Sequence, residues 1–154
     1  MKYRLVEKLT WTLAGRRGVM EEDIWGKCKA EAGFFERLAA IDAETPTKPL
    51  AYCLGGGASG KSPWIVGVET ASSALEGLDV ITVPATQWLV FESYGPMDPN
   101  FFTMQHEAYD VYFKDPDREY DWHEGMRSFE KYCTESAHRE DTVIELWCPV
   151  TKRT

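Results

Sequence analysis

The last apolar stretch of the chain, Thr142-Val-Ile-Glu-Leu-Trp-Cys-Pro-Val150, predicts a buried β-strand that carries one charge. Its β-branched and aromatic residues suit a pleated, buried surface. Because successive strand side chains point to opposite faces, Glu145 shares one face with Trp147. A carboxylate beside an indole on a buried face must be paired, be protonated, or wait for a positively charged ligand. The alternative is an edge-strand glutamate in solvent.

Composition sets the size and class of the protein around this strand. A chain of 154 residues predicts one domain, spanning residues 1–154. Six Trp and seven Tyr indicate either a large core or an aromatic-lined cavity. A formal net charge of -8 argues against a surface that binds DNA directly, because such a surface needs clustered Lys and Arg.

Cysteine and histidine usage predicts an intracellular protein without a metal site. The Cys and His residues are scattered along the chain, with no C-x-x-C pair and no metal-ligand spacing. The N-terminal segment does not read as a signal peptide, and no apolar run is long enough to span a membrane. We therefore expect a cytoplasmic protein with reduced thiols, no cofactor and no membrane partner.

The first half of the chain predicts a strand, a helix, a strand, a loop and a strand. Thr10–Gly15 is typical of a strand that breaks at Gly15–Gly18. Acidic residues at Glu21–Asp23 favour the start of one helix that ends near Ala43. Two further strands are predicted at 49–54 and 64–69.

The second half repeats this order of elements. Strand patterns occupy 80–85 and 88–94, with a break at Pro84, and two more occupy 128–133 and 142–150. Between them, Asp98 can cap a helix whose first residue is Pro99. Four residues at helical spacing predict the buried aromatic face of this helix: Phe102, His106, Tyr109 and Phe113. The charged segment 114–125 predicts a loop or a short helical turn.

The two halves together predict an α+β fold built as a tandem pair of βαββ units, roughly 1–72 and 78–152. Tyr52-Cys53 and Tyr132-Cys133 occupy equivalent places in the two halves, which supports an internal repeat. We expect a curved antiparallel sheet, helices on one side and a central ligand cleft.

One motif is a decoy. Gly55–Ser62 matches the phosphate-binding pattern G-x-x-x-x-G-K-[ST], but that motif requires a helix after it. Here Pro63 and a strand pattern follow, so the segment predicts a glycine-rich hairpin loop instead.

Three segments together resemble a known family. Val83-Pro-Ala85, Trp88–Met97 and Ile144–Val150 are similar to the motifs of the GyrI-like small-molecule-binding domain. The same domain is the effector-binding domain of bacterial AraC-type and MerR-type multidrug-responsive transcription regulators. The chain lacks a predicted helix-turn-helix ahead of these motifs, so we expect a stand-alone member.

The resemblance implies a site as well as a fold. In this family the glutamate of the final strand lies in the cleft and meets hydrophobic cations among aromatic side chains, and that position corresponds to Glu145. The remaining candidates for ligand binding are aromatic: Trp147, Trp88, Tyr94, Tyr109, Phe102 and Trp64. The alternative for Glu145 is a pair with a buried Arg or Lys, although most charged residues lie in predicted loops.

These residues predict multidrug-type binding of hydrophobic, cationic small molecules in an aromatic pocket. One alternative is a hydrolase of reactive cyclopropane-containing compounds, in which Glu145 is catalytic. The other is a protein-interaction module, such as a gyrase modulator, with a protein partner. The same carboxylate serves the first two functions, so the sequence does not separate them.

Overall fold

The computed structural model describes residues 2–42, 49–55, 61–72, 75–134 and 138–154, and it divides into two compact units. One unit comprises Thr10–Pro84, and the other combines Met1–Leu9 with Ala85–Thr154. Both units join antiparallel strands to helices, so the predicted α+β class is confirmed. The N-terminal strand belongs with the second half of the chain, whereas the predicted repeat placed it in the first half.

The unit formed by residues 10–84, unit A, contains four strands and two α-helices among its described residues. The N-terminal strand of the chain, β1 (Tyr3–Lys8), belongs to the other unit. The strands of unit A are therefore β2 (Trp11–Val19), β3 (Leu50–Cys53), β4 (Pro63–Thr70) and β5 (Asp79–Val83). They pair antiparallel in the order β3-β4-β2-β5. The helices α1 (Ile24–Ala30) and α2 (Phe34–Asp42) contact β4.

The predicted strand break at Gly15–Gly18 is wrong, because β2 continues to Val19. Gly15 lies opposite Gly67 of β4. A Cβ atom on Gly15 would lie 1.9 Å from the carbonyl oxygen of Val66. These glycines therefore allow two strands to approach closely instead of ending one of them.

The single predicted helix 21–43 is also wrong, because the structure breaks it twice. A 3₁₀ turn at Met20–Glu22 precedes α1, and the side chain of Asp23 caps α1 by accepting a hydrogen bond from the Gly26 amide at 3.1 Å. Gly33, whose φ is +76°, separates α1 from α2. A left-handed glycine is a common way to end a helix.

The other unit, unit B, is built on β1 and on four strands from the C-terminal half. They are β6 (Thr86–Tyr94), β7 (Tyr120–Trp122), β8 (Phe129–Tyr132) and β9 (Val143–Lys152). Within this unit β6 pairs with β1 and β9, while β7 and β8 both pair with β9. The segment 114–125, predicted as a loop or a helical turn, thus contains a strand.

One helix, α3 (Met97–His106), packs on one face of the unit B sheet and continues as a π-helical turn at Glu107–Tyr112. Asp98 is extended inside its first turn, so regular helix begins at Pro99. The predicted buried face is wrong by one position, and Phe102 is 55% exposed. The buried side chains are instead Phe101, Met104, Ala108 and Tyr112.

The helix-facing side of the unit B sheet is an apolar core. Its buried members come from β6, from β9 and from the helical segment. They are Leu89, Phe91, Phe101, Met104, Ala108, Tyr112, Ile144, Leu146, Cys148 and Val150. The other sheet face carries charged residues: Arg4, Glu92, Lys131 and Glu145. Among the described residues, no helix is long and apolar enough to cross a lipid bilayer.

Candidate functional site

The register of unit B places two rows of side chains on the sheet face opposite α3. Residues directly opposite each other on paired strands share a face. One row runs across the four strands through Arg4, Val90, Trp147 and Phe129. The adjacent row contains Glu92, Glu145 and Lys131. Alternation thus brings two carboxylates and two cations beside aromatic rings.

Glu145 is buried, and two groups hold its carboxylate. The residue is 7% exposed. Its Oε2 atom accepts a hydrogen bond from a terminal nitrogen of Arg4 at 2.6 Å, and its Oε1 atom accepts one from the Trp147 indole at 3.1 Å. The shared face predicted for Glu145 and Trp147 is therefore confirmed. The structure pairs Glu145 with an arginine of a strand, but the Arg4 side chain is 44% exposed, so it is not the buried Arg or Lys of the alternative.

Arg4 links Glu145 to a second carboxylate. Its other terminal nitrogen donates to Glu92, and the Tyr94 hydroxyl donates to the same carboxylate. Burial by itself lowers the pKa of Arg4, but the hydrogen bond to Glu145 and the two carboxylate charges raise it overall. The bond to Glu92 raises the pKa of the Tyr94 hydroxyl. Arg4 and Tyr94 therefore both stay protonated as donors at neutral pH.

An aromatic cluster on the same face adjoins this charged group through Trp147. The Phe129 and Trp147 rings stack with centroids 5.2 Å apart, and Trp88 meets them edge-on at 4.9 and 6.2 Å. Trp88 is fully buried, and its indole nitrogen has no hydrogen-bond partner within the described part of the chain. The cluster offers both apolar area and π-faces, which attract cations.

Two cations already lie over Trp147. The Arg4 guanidinium carbon is 6.0 Å from the ring centroid, and the Lys131 ammonium is 5.7 Å from it.

Cys133, at the end of β8, has a thiol whose pKa is raised to about 11, first by burial and then by the charge of Glu145. That thiol is therefore protonated at neutral pH and a poor nucleophile.

The remaining predicted site residues are spread over both units. Tyr94 is 57% exposed on the same face as Glu145. Tyr109 lies on the helical side of the unit B sheet, where its hydroxyl is 3.0 Å from that of Ser128, and Phe102 is exposed on α3. Trp64 belongs to β4 of unit A and is half-buried. Unit B thus brings together Glu145, Trp147, Trp88 and Tyr94.

The sequence did not indicate Arg4, Phe129 or Lys131 as part of this face. Alternation along β8 places Phe129 and Lys131 together, but the pairing of β8 with β9 decides which face they share. Arg4 reaches Glu145 only because β1 pairs with β6, more than eighty positions along the chain. The one local sequence feature that could have indicated Arg4 is a positive residue in a short N-terminal strand.

A small depression adjoins Arg4. It is lined by Lys2, Tyr3, Arg4, Val90 and Glu92, and its volume is about 60 Å³. Pockets for drug-sized ligands measure about 300–1,000 Å³. Among the described residues, no group of three His, Cys, Asp or Glu side chains is arranged to hold a metal ion.

Comparison with known proteins gives a family and a fold. The sequence model of Cass2, described as integron-associated effector binding protein, matches residues 29–150. No curated protein matches the chain. The structure of SAV2435 bound to tetraphenylphosphonium superposes with a TM-score of 0.79 at 24% identity, covering 98% of this chain and 94% of that one.

Two further solved structures share the same fold. A putative bacterial transcription regulation protein from Staphylococcus aureus MU50 superposes with a TM-score of 0.76 at 21% identity, covering 98% of this chain and 99% of that one. The C-terminal domain of EcmrR gives 0.62 at 12% identity, covering 99% and 98%. At these identities the likeness concerns the fold alone.

Proposed function

The chain belongs to the Cass2 family of integron-associated effector binding proteins, an effector-binding domain of the GyrI-like type, and we propose that its ligands are hydrophobic organic cations. Small-molecule binding follows from the family, and the charge of the ligand is our proposal. The observation that carries it is Glu145, a buried carboxylate bonded to the Trp147 indole, whose ring packs against Trp88 and Phe129. A carboxylate supplies the countercharge, and the rings supply apolar area and cation–π attraction.

Aromatic faces and the carboxylate act on different parts of such a ligand. Each cation–π contact contributes about 0.5–2 kcal/mol, and it selects for charge without requiring N–H donors on the ligand. The buried carboxylate adds an interaction that water screens weakly. Tetraphenylphosphonium combines a delocalised positive charge with four rings, and the neighbour SAV2435 binds it. That compound is therefore the probe of choice.

The test compares two buried glutamates. Isothermal titration with tetraphenylphosphonium is run on the wild type, Glu145→Gln and the control Glu130→Gln. Glu130 is as buried as Glu145 but lies on the opposite sheet face, where it shares the side of Leu146. We expect Glu145→Gln to weaken binding about tenfold or more, because a charged partner is lost. The control should bind as the wild type does.

Equal affinity of the wild type and Glu145→Gln would show that Glu145 is not the countercharge. Loss of binding in Glu130→Gln alone would place the ligand on the other face. Circular dichroism of each variant establishes that both remain folded.

A further inference from the structure

In the free protein, a cation of the chain itself occupies the place where an organic cation would bind. The Arg4 guanidinium contacts the Oε2 atom of Glu145 at 2.6 Å and lies 6.0 Å from the Trp147 centroid. These are the two groups that the proposed ligand needs. A ligand cation cannot approach the same oxygen closely while Arg4 holds it, because the two positive charges would repel and their volumes would overlap.

We propose that Arg4 is an internal competitor that determines specificity: its guanidinium must leave Glu145 before a ligand cation binds there. This inference rests on the proposed function and concerns the same carboxylate. Every ligand cation then has to interact with Glu145 and the rings more favourably than Arg4 does.

Exposure shows which partner of the ion pair is free to move. The side chain of Arg4 is 44% exposed, whereas that of Glu145 is 10% exposed. Arg4 extends from β1, which pairs in unit B with β6 alone among the described strands of that unit. The guanidinium can therefore swing into water, while the carboxylate stays fixed by the Trp147 indole.

Glu92 lowers the cost of this movement. Arg4 contacts Glu92 as well as Glu145, and the Glu92 side chain is 25% exposed. Arg4 can give up the buried carboxylate and keep the more exposed one, so its charge retains a partner throughout. The site then presents one free carboxylate, Glu145, to one ligand charge.

Competition by Arg4 explains how a permissive aromatic site could reject common small cations. A small ammonium ion gains the carboxylate but little ring contact, so it does not offset the loss of the Arg4–Glu145 pair. A cation with a large apolar body gains both. A site whose competent state is populated at 10% or less binds at least about tenfold more weakly than its intrinsic affinity.

The experiment removes the competitor and measures two cations. Affinities for tetraphenylphosphonium and tetramethylammonium are determined by titration for the wild type, Arg4→Met, Arg4→Lys and Lys2→Met. We expect Arg4→Met to bind tetraphenylphosphonium about tenfold more tightly or better and to gain measurable affinity for tetramethylammonium. Arg4→Lys keeps the charge with fewer donors, so its affinities should fall between those of Arg4→Met and the wild type.

Lys2→Met is the matched control. Lys2 precedes Arg4 by two positions, lines the same depression and carries the same charge. Its removal changes the net charge equally without freeing Glu145, so both affinities should stay within about twofold of the wild type.

The outcomes separate this inference from the proposed function. If the wild type binds tetraphenylphosphonium through Glu145 and Arg4→Met and Arg4→Lys bind no better, Arg4 is not a competitor and the proposed function stands. If Lys2→Met tightens binding as much as Arg4→Met, general electrostatics explains the gain and the inference is overturned. If Glu145→Gln has no effect, the proposed function itself fails. Should Arg4→Met not fold, Arg4→Lys alone decides, because an unchanged affinity in that folded variant overturns the inference.

Discussion

Among its described residues, unit B contains two buried glutamates on adjacent strands, and they are stabilised in different ways. Glu130 of β8 is 8% exposed and Glu145 of β9 is 7% exposed. Glu130 lies opposite Leu146 and Glu145 lies opposite Lys131, so the two carboxyls point to opposite sheet faces. Burial alone does not distinguish them, and the difference lies in their partners.

Glu130 is satisfied by a neutral neighbour. Burial raises the pKa of Glu130, although the hydrogen bond from the Tyr132 hydroxyl, at 2.5 Å, opposes this. Burial and the Glu130 carboxyl also raise the pKa of Tyr132. A carboxyl with a raised pKa that accepts a hydrogen bond from a neutral tyrosine suits the apolar face on which both lie.

Glu145 is satisfied by a cation from another strand. Tyr132 lies two residues from Glu130 on the same strand and cannot leave it, whereas Arg4 comes from β1 and is half-exposed. Each carboxyl accepts one hydrogen bond from a residue two positions away on its own strand, Tyr132 for Glu130 and Trp147 for Glu145, and Glu145 has Arg4 in addition. A carboxyl whose partner can be exchanged is able to bind something else, and this property marks Glu145 as the ligand-facing group that we propose.

The largest expected effect on stability comes from separating Arg4 and Glu145. Arg4→Met leaves a buried carboxylate without its cation, and we expect the free energy of unfolding to fall by about 1–3 kcal/mol. The lower part of that range applies because Arg4 is half-exposed. Adding Glu145→Gln to Arg4→Met should recover most of the loss. Urea denaturation of the four proteins in this cycle measures the coupling, and strictly additive effects would show that the pair contributes nothing.

Strand periodicity was enough to predict half of this site. Alternation alone placed Glu145 on one face with Trp147, and Trp88 on one face with Tyr94, and the register confirms both shared faces. Alternation is a local property of the chain, so it needs no knowledge of which strands pair. The family motifs lie in the same strands, which is why the α+β class and the effector-binding assignment could both be predicted.

The local periodicity of the sequence could not predict which strands pair or where a helix is irregular. Arg4 reaches Glu145 through the pairing of β1 with β6, a contact that no local pattern encodes. The aromatic face of α3 was misplaced from its first turn, where Phe101 is buried and Phe102 is 55% exposed, and a π-helical turn at Glu107–Tyr112 then departs from the 3.6-residue period. Gly33 separates two helices, whereas Gly15 allows two strands to approach closely. Only the tertiary contact of Gly15 with β4 distinguishes these two roles of glycine.

The second expected effect tests the neutral pair. Tyr132→Phe removes the donor to a buried carboxyl, and we expect a loss of about 1–2 kcal/mol in unfolding free energy. The chain supplies a matched control in Tyr94, whose hydroxyl bonds Glu92 with the same two-residue spacing but at an exposed position. Tyr94→Phe should leave the free energy of unfolding unchanged within the error of the measurement, because water replaces the lost partner. Equal losses in the two variants would mean that burial does not set the strength of these bonds.

The smallest expected effect is a difference in pH dependence. Because burial raises the pKa of Glu130 above its ordinary value of 4.5, the unfolded chain ionises at that position before the native protein does. Glu130 therefore contributes full stability below about pH 4.5, and this contribution is lost as pH rises through the native pKa. Glu130→Gln cannot ionise, so its stability relative to the wild type should increase with pH across that window. Urea denaturation from pH 4 to pH 8 measures the difference. Parallel profiles for the two proteins would show that Glu130 titrates normally, and the contrast between the two glutamates would then rest on Arg4 alone.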